Sequence, residues 1–215
     1  MSDTDNRNNI ISVAQQFNSK NLSVGTSGNV SARTGDESAC LITPSAVMYE
    51  HLKPADLVTL DLDGKVLQGE RAPSSEWHFH CGIYQSRPDV NAVIHLHSTY
   101  CTVLACAHRS IPAFHYMVAV AGGKDIPLVP YALFGTSELS DNVIAGLKNR
   151  NACLLANHGL VAVGPDLDSA LNLAIEVENL ARQYCELLQT GTPQILSDEQ
   201  MDDVLEKFKT YGKRT

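Results

Sequence analysis

Two histidines stand one residue apart in Val93-Ile94-His95-Leu96-His97-Ser98. Side chains two apart on a β-strand share a face. A strand here would therefore project both imidazoles together, with Leu96 packed behind them. Paired imidazoles suit Zn²⁺, which takes nitrogen, oxygen and sulfur donors in a tetrahedral arrangement. The alternative is two histidines satisfied inside a polar core. A third imidazole, His158 in Asn157-His158-Gly159, follows the apolar run Ala152 to Leu155, where a buried strand would end. Pro73-Ser74-Ser75-Glu76-Trp77 opens a helix and offers Glu76 as an oxygen donor. Three histidines and one carboxylate would complete a four-coordinate site, and a catalytic zinc usually keeps three protein ligands and one exchangeable position. Glu76 is the ligand expected to leave. Its plainer reading is a first-turn residue favoured by the helix dipole.

The elements that must carry these groups can be read in order. Ile10, Ile11, Val13, Ala14 and Phe17 form a helical apolar stripe ending near Asn21. Gly25-Thr26-Ser27-Gly28-Asn29 is a turn into the strand Val30 to Arg33; it is either a plain strand entry or a nest of backbone N–H groups for an anion. Cys40 to Thr43 and Leu57 to Leu62 read as strands, and Asp63-Gly64 as a hairpin turn into Lys65-Val66-Leu67. A helix is expected from Ser75 to about Arg87, stopped by Pro88. Ser98 reads as the cap of a buried helix over 99–107. A loop and turn region with exposed aromatics follows, then a short strand at Pro127 to Pro130 and a helix from Ser137 to Asn149. Strands flank His158, a long amphipathic helix covers Asp168 to about Gln189, and a polar helix covers Ser197 to about Lys209. The sum is one α/β domain over 1–215, a three-layer α/β/α arrangement around a largely antiparallel sheet, with a mobile tail from about residue 207.

Composition limits the function classes. The 215 residues carry a net charge of −8, which argues against general nucleic-acid binding. No apolar run approaches the roughly 18 residues of a membrane helix. The polar, acidic start is no signal peptide. The six cysteines form no CxxC and lie in apolar contexts, as reduced core cysteines do. A cytoplasmic protein is expected.

Pro73-Ser74-Ser75-Glu76, His95-Leu96-His97 and Asn157-His158-Gly159 together resemble the class II aldolase/ribulose-phosphate epimerase superfamily. Gly25 to Ser31, His115-Tyr116-Met117, Phe134-Gly135-Thr136 and Lys207 to Gly212 narrow the likeness to the bacterial L-fuculose-1-phosphate aldolases, over almost the whole chain. That resemblance implies reversible cleavage of L-fuculose 1-phosphate into dihydroxyacetone phosphate and L-lactaldehyde. It implies one Zn²⁺ per subunit on His95, His97 and His158, with Glu76 as the resting fourth ligand and then as general acid/base. Thr26, Gly28 and Asn29 match the family's phosphate loop. Ser74 and Ser75 would add hydroxyls at a helix start, where unpaired N–H groups also face an anion. Ser45 and Ala46 fall where the family often has Thr-Gly, and alanine is not expected to take the φ > 0 geometry glycine allows. Tyr116 matches a tyrosine that protonates the aldehyde side across a subunit boundary in a homotetramer; Phe134 and Tyr211 match residues lining that side. His115 stays outside the metal shell. L-Ribulose-5-phosphate 4-epimerases share the scaffold and the retro-aldol chemistry but have aspartate where Glu76 stands. Other sugar-phosphate lyases share it too. Adducin heads, which are interaction modules, lack the metal ligands present here.

Overall fold

The computed structural model describes residues 3–35 and 37–210. The first helix, α1 (Asp3–Ser19), buries Ile10, Val13, Ala14 and Phe17, the stripe that the periodicity predicts. The chain turns at Asn21 (φ +56°) and enters β1 (Asn29–Arg33), whose five residues are all buried. β2 (Ala39–Ile42) and β3 (Val58–Asp61) follow, and β3 turns into β4 (Val66–Gln68). The Asp61 carboxylate accepts from the N–H groups of Asp63 and Lys65 across that turn, at 3.1 and 2.8 Å. Gly64 there has φ +89°, and a Cβ on it would stand 1.9 Å from the Trp77 ring, so no other residue fits.

The remaining elements are α2 (Trp77–Ser86), β5 (Ala92–Leu96), α3 (Thr99–Cys106), β6 (Leu128–Val129), α4 (Ser137–Gly146), β7 (Ala152–Leu155), β8 (Gly159–Gly164), α5 (Leu167–Thr190) and α6 (Asp198–Phe208). The eight strands form one sheet in the order β4-β3-β2-β1-β5-β8-β7-β6. Every neighbouring pair is antiparallel except β6 with β7, so the sheet is mixed, as a largely antiparallel reading allows.

Strand alternation divides the core between the two faces. Val30, Leu41, Ile94, Leu96, Leu154 and Leu160 join one cluster with α1, α3, α5 and α6. Ile42, Leu60, Val93, Leu155, Val161 and Val163 join the other with α2 and α4. Each such aliphatic side chain contributes about 1.5–3 kcal/mol by leaving water. His95 alternates with Ile94 and so faces α2, where it meets Phe79 edge-on at 5.6 Å.

One local expectation changes. Ser98 stands at the cap of α3 but makes no capping hydrogen bond, and its hydroxyl is buried without a partner. The free N–H groups there are taken by Glu178 of α5, whose carboxylate accepts from Tyr100 N at 2.8 Å and Cys101 N at 2.9 Å. A charged acceptor from a packed helix serves the helix start better than a hydroxyl does. At the other end, α6 runs to Phe208 behind a Ser197/Gln200 capping box, within the bounds the sequence predicts. Residues 211–215, and with them Tyr211, lie outside the described residues. All six cysteines are free, and no helix among the described residues is long and apolar enough to cross a membrane.

Candidate active site

The site forms where β1, β5 and β8 end together. Asn29, first in β1, pairs with His95 in β5, and Leu96 pairs with Leu160 in β8. His95 is fully buried, and its Nδ1 lies 2.9 Å from the Leu160 carbonyl oxygen. A carbonyl only accepts, so Nδ1 carries the proton and Nε2 keeps its lone pair. His97 follows just beyond the strand. Its room depends on Gly159, where a Cβ would stand 2.3 Å from the Leu96 carbonyl oxygen and 3.0 Å from His97 Cδ2. His158 is turned inward by Asn157, which has φ +56° and accepts from His108 Nε2 at 2.7 Å. The helix α2 begins at Trp77, two residues later than expected, leaving Glu76 at its cap and Ser74 and Ser75 in the preceding turn.

The expected ligand set converges. The donor nitrogens of His95, His97 and His158 all lie within 4.8 Å of one another. Glu76 Oε2 is 3.1 Å from His95 Nε2, and Oε1 is 3.3 Å from His158 Nε2. His95 Nε2 stands 3.0 Å from His97 Nε2. Oε1 has no hydrogen-bond partner although Glu76 is only 7% exposed. Burial by itself would raise the Glu76 carboxyl, but the His95 and His158 imidazoles and the Asn29 amide overcome it and hold the group well below the usual carboxylate range. Burial pushes the His97 and His158 imidazoles down to about 4, with His95 adding to the effect. Three convergent imidazole nitrogens, a carboxylate and a buried oxygen without a hydrogen bond, all facing one point, are a donor set that fits a divalent cation.

A cavity of about 510 Å³ opens beside these groups. Its walls include Thr26, Gly28, Asn29, Ser45, Ala46, Ser74, Ser75, Glu76, Phe134, His97 and His158, so most of the residues expected from sequence meet around one space. Ala46 takes φ +58°, the left-handed geometry not expected of it. The loop shape is kept at a strain of about 1–2 kcal/mol. Ser45 Oγ donates to the Pro73 carbonyl at 2.9 Å, and Ser74 Oγ accepts from Glu76 N at 3.3 Å. Tyr49 donates to the Ser27 and Gly28 carbonyls at 3.0 and 2.8 Å, which anchors the glycine loop.

Tyr116 does not line this cavity; it starts a 3-10 segment (Tyr116–Ala121) and is 52% exposed. Tyr131 and Ala132 do line it and were missed from sequence, because nothing in their spacing marks them. His80, inside α2, is a further polar residue behind the site. It is fully buried and lies 2.5 Å from Asn29 Oδ1. Its position four residues after Glu76, on the same helix face, was the available signal.

A mixed sheet carrying three convergent histidines and a carboxylate beside a hydroxyl-lined cavity is an arrangement that could hold a metal ion against a substrate, and comparison with known proteins gives its class. Residues 8–185 match the family described as class II aldolase and adducin N-terminal domain, and the chain belongs to it. It is a lyase of the class II aldolase type. An L-fuculose phosphate aldolase of Escherichia coli K12 is 51% identical over 206 residues, covering 95% of this chain and 94% of that protein. A 5-methylthioribulose-1-phosphate/5-deoxyribulose-1-phosphate aldolase of Rhodospirillum rubrum is 52% identical, covering 96% of this chain and 92% of its own length. A solved L-fuculose 1-phosphate aldolase superimposes with TM-score 0.93 at 42% identity, over 97% of this chain and 98% of that one.

Proposed function

We propose that the chain reversibly cleaves L-fuculose 1-phosphate to dihydroxyacetone phosphate and L-lactaldehyde, with zinc as its metal. The observation that carries this reading is Glu76: a buried carboxylate with one oxygen unpartnered, set among three imidazoles on the wall of the cavity. His95, His97 and His158 would hold the ion, with Glu76 as a fourth donor. Bound there, Zn²⁺ supplies a Lewis acid that polarises the ketose carbonyl and stabilises the charge left when the carbon–carbon bond breaks.

The protein groups divide the remaining work. Glu76 carries protons, as general base toward the substrate hydroxyl and as general acid toward the carbanionic carbon. Thr26, Gly28, Asn29, Ser45, Ala46, Ser74 and Ser75 surround the space where a phosphate would be held by hydroxyl and backbone donors. Phe134 lines the cavity, and both it and Tyr211 are assigned to the aldehyde side by resemblance. Tyr116 is exposed and absent from its own chain's cavity wall, which supports its delivery by a neighbouring copy in a homotetramer.

One observation favours a second substrate. The Rhodospirillum rubrum relative bears the name of a 5-methylthioribulose-1-phosphate/5-deoxyribulose-1-phosphate aldolase, and the cavity wall here carries the exposed aromatics Tyr131 and Phe134. Such apolar surface suits a methylthio or methyl end. Cleavage would again give dihydroxyacetone phosphate, now with (methylthio)acetaldehyde. A coupled assay for dihydroxyacetone phosphate release, run with both 1-phosphates and L-rhamnulose 1-phosphate, tests this. Chelator-sensitive release that is fastest from L-fuculose 1-phosphate is expected. Faster release from the methylthio sugar assigns the second reading, and no release from any of them by zinc-loaded chain rejects aldol cleavage of these substrates.

A further inference from the structure

Behind Glu76 a file of buried polar groups runs into the core. Asn29 Nδ2 donates to Glu76 Oε2 at 3.0 Å, and Asn29 Oδ1 lies 2.5 Å from His80 Nε2. His80 Nδ1 is 2.7 Å from Ser31 Oγ, which is 2.7 Å from Tyr84 OH. Ser31 and His80 are fully buried and Tyr84 is 2% exposed, so water does not compete for these groups.

Donor and acceptor identities leave one consistent assignment. The Glu76 carboxylate only accepts, so it takes the NH₂ side of Asn29. Oδ1 then faces His80 and accepts, which places the ring proton on Nε2. Nδ1 keeps its lone pair and accepts from Ser31, whose oxygen accepts in turn from Tyr84. Every hydrogen in the file points toward Glu76. The reverse assignment would set Asn29 Oδ1 against Glu76 Oε2, two acceptors face to face.

The geometry points to His80 as a positioning residue for the reaction: it locks the Asn29 amide so that Glu76 Oε2 always has a donor and Oε1 alone stays open. The inference rests on the proton-carrying role proposed for Glu76. Its chemical content is that the carboxylate cannot choose between its oxygens. Oε2 is tied to the protein, so a proton taken up or a bond exchanged falls on Oε1, the atom with no hydrogen bond and with only the His158 imidazole beside it. An apolar side chain at position 80 would strand Asn29 Oδ1 and the Ser31 hydroxyl and let the amide turn. Partners of this kind, which orient a ligand without touching substrate, typically change activity or metal affinity about 10- to 100-fold when lost.

The test compares wild type with His80→Leu, His80→Gln and Ser31→Ala for folding, zinc content, KM and kcat. We expect His80→Leu to bind zinc like wild type with unchanged KM, while kcat falls about 10- to 100-fold. His80→Gln, which keeps an amide donor toward Asn29, recovers most of that loss, and Ser31→Ala loses less in the same direction. Unchanged kcat in folded, zinc-loaded His80→Leu overturns the inference, as does a kcat loss matched by zinc loss. If His80→Leu does not fold, unchanged kcat in Ser31→Ala overturns it. Nitrogen-15 NMR of the metal-free chain reads the tautomer independently of activity: Nε2–H is expected, and Nδ1–H contradicts the lock. A wild type that releases no triose phosphate rejects the proposed function instead, and the NMR result then decides the lock.

Discussion

Arg33 and Glu76 are both charged and both buried, 9% and 7% exposed, yet their partners differ in kind. Arg33 spends its donors on backbone carbonyls that the end of α2 leaves free: Tyr84 O at 2.7 Å, Arg87 O and Val90 O at 3.2 Å, with Glu37 O at 3.4 Å. Its charge is absorbed by the fold, and each of its three nitrogens donates to a carbonyl. Glu76 keeps one oxygen without a hydrogen bond and faces imidazoles whose nitrogens gather around the same point. A buried polar group left unsatisfied is expensive, about 1–3 kcal/mol and more for a charge. It persists where a ligand completes it. The contrast separates a charge that builds the domain from one that waits for chemistry.

The largest effect expected from breaking this contrast is at the ligands. His97→Ala should lower zinc content below one per chain and bring triose phosphate release to background, and a matched chelator treatment of wild type should do the same. Glu76→Gln comes next: zinc is retained while kcat falls about 10²- to 10⁴-fold, the span of general acid–base catalysis. Arg33→Ala should behave in the opposite sense. Denaturant unfolding should show a loss of about 2–4 kcal/mol, since hydrogen bonds from a charged group are removed and buried carbonyls are stranded. The kcat/KM per folded molecule should not change.

The metal-free site should also make stability depend on pH. The folded His97 and His158 titrate at about 4, below the 6.5 of an ordinary histidine. The unfolded chain therefore takes up these protons first. Stability is full above about pH 6.5 and falls as the pH drops toward 4. Urea midpoints of stripped protein across that window check the direction. The smallest effect is expected at Ala46. Glycine relieves the strain of φ +58° but loosens the unfolded chain, so Ala46→Gly should move stability by no more than about 1 kcal/mol.

The sequence carried the metal-binding half of this contrast well, because it is written in short spacings. His95 and His97 share a face by strand periodicity, and His158 and Glu76 sit at element ends that hydrophobic runs announce. Alternating and continuous apolar runs likewise placed most strands and helices. What stayed hidden depends on distant pairings. The Ser31–His80 contact joins residues 49 apart, and Glu178 reaches Tyr100 across 78. No local pattern distinguishes a serine that caps its own helix from one displaced by a carboxylate on another. Arg33 looked like the last residue of a strand, and the carbonyls that hold it belong to a helix end more than fifty residues later.

The central claim is that the unsatisfied cluster around Glu76 is a metal site on which the reaction depends. Titrating chelator-stripped chain with Zn²⁺, while following triose phosphate release in the same samples, tests it most directly. Activity is predicted to rise linearly and break at one zinc per chain, with no such break in His97→Ala. Full release from the stripped chain before any zinc is added would contradict the account.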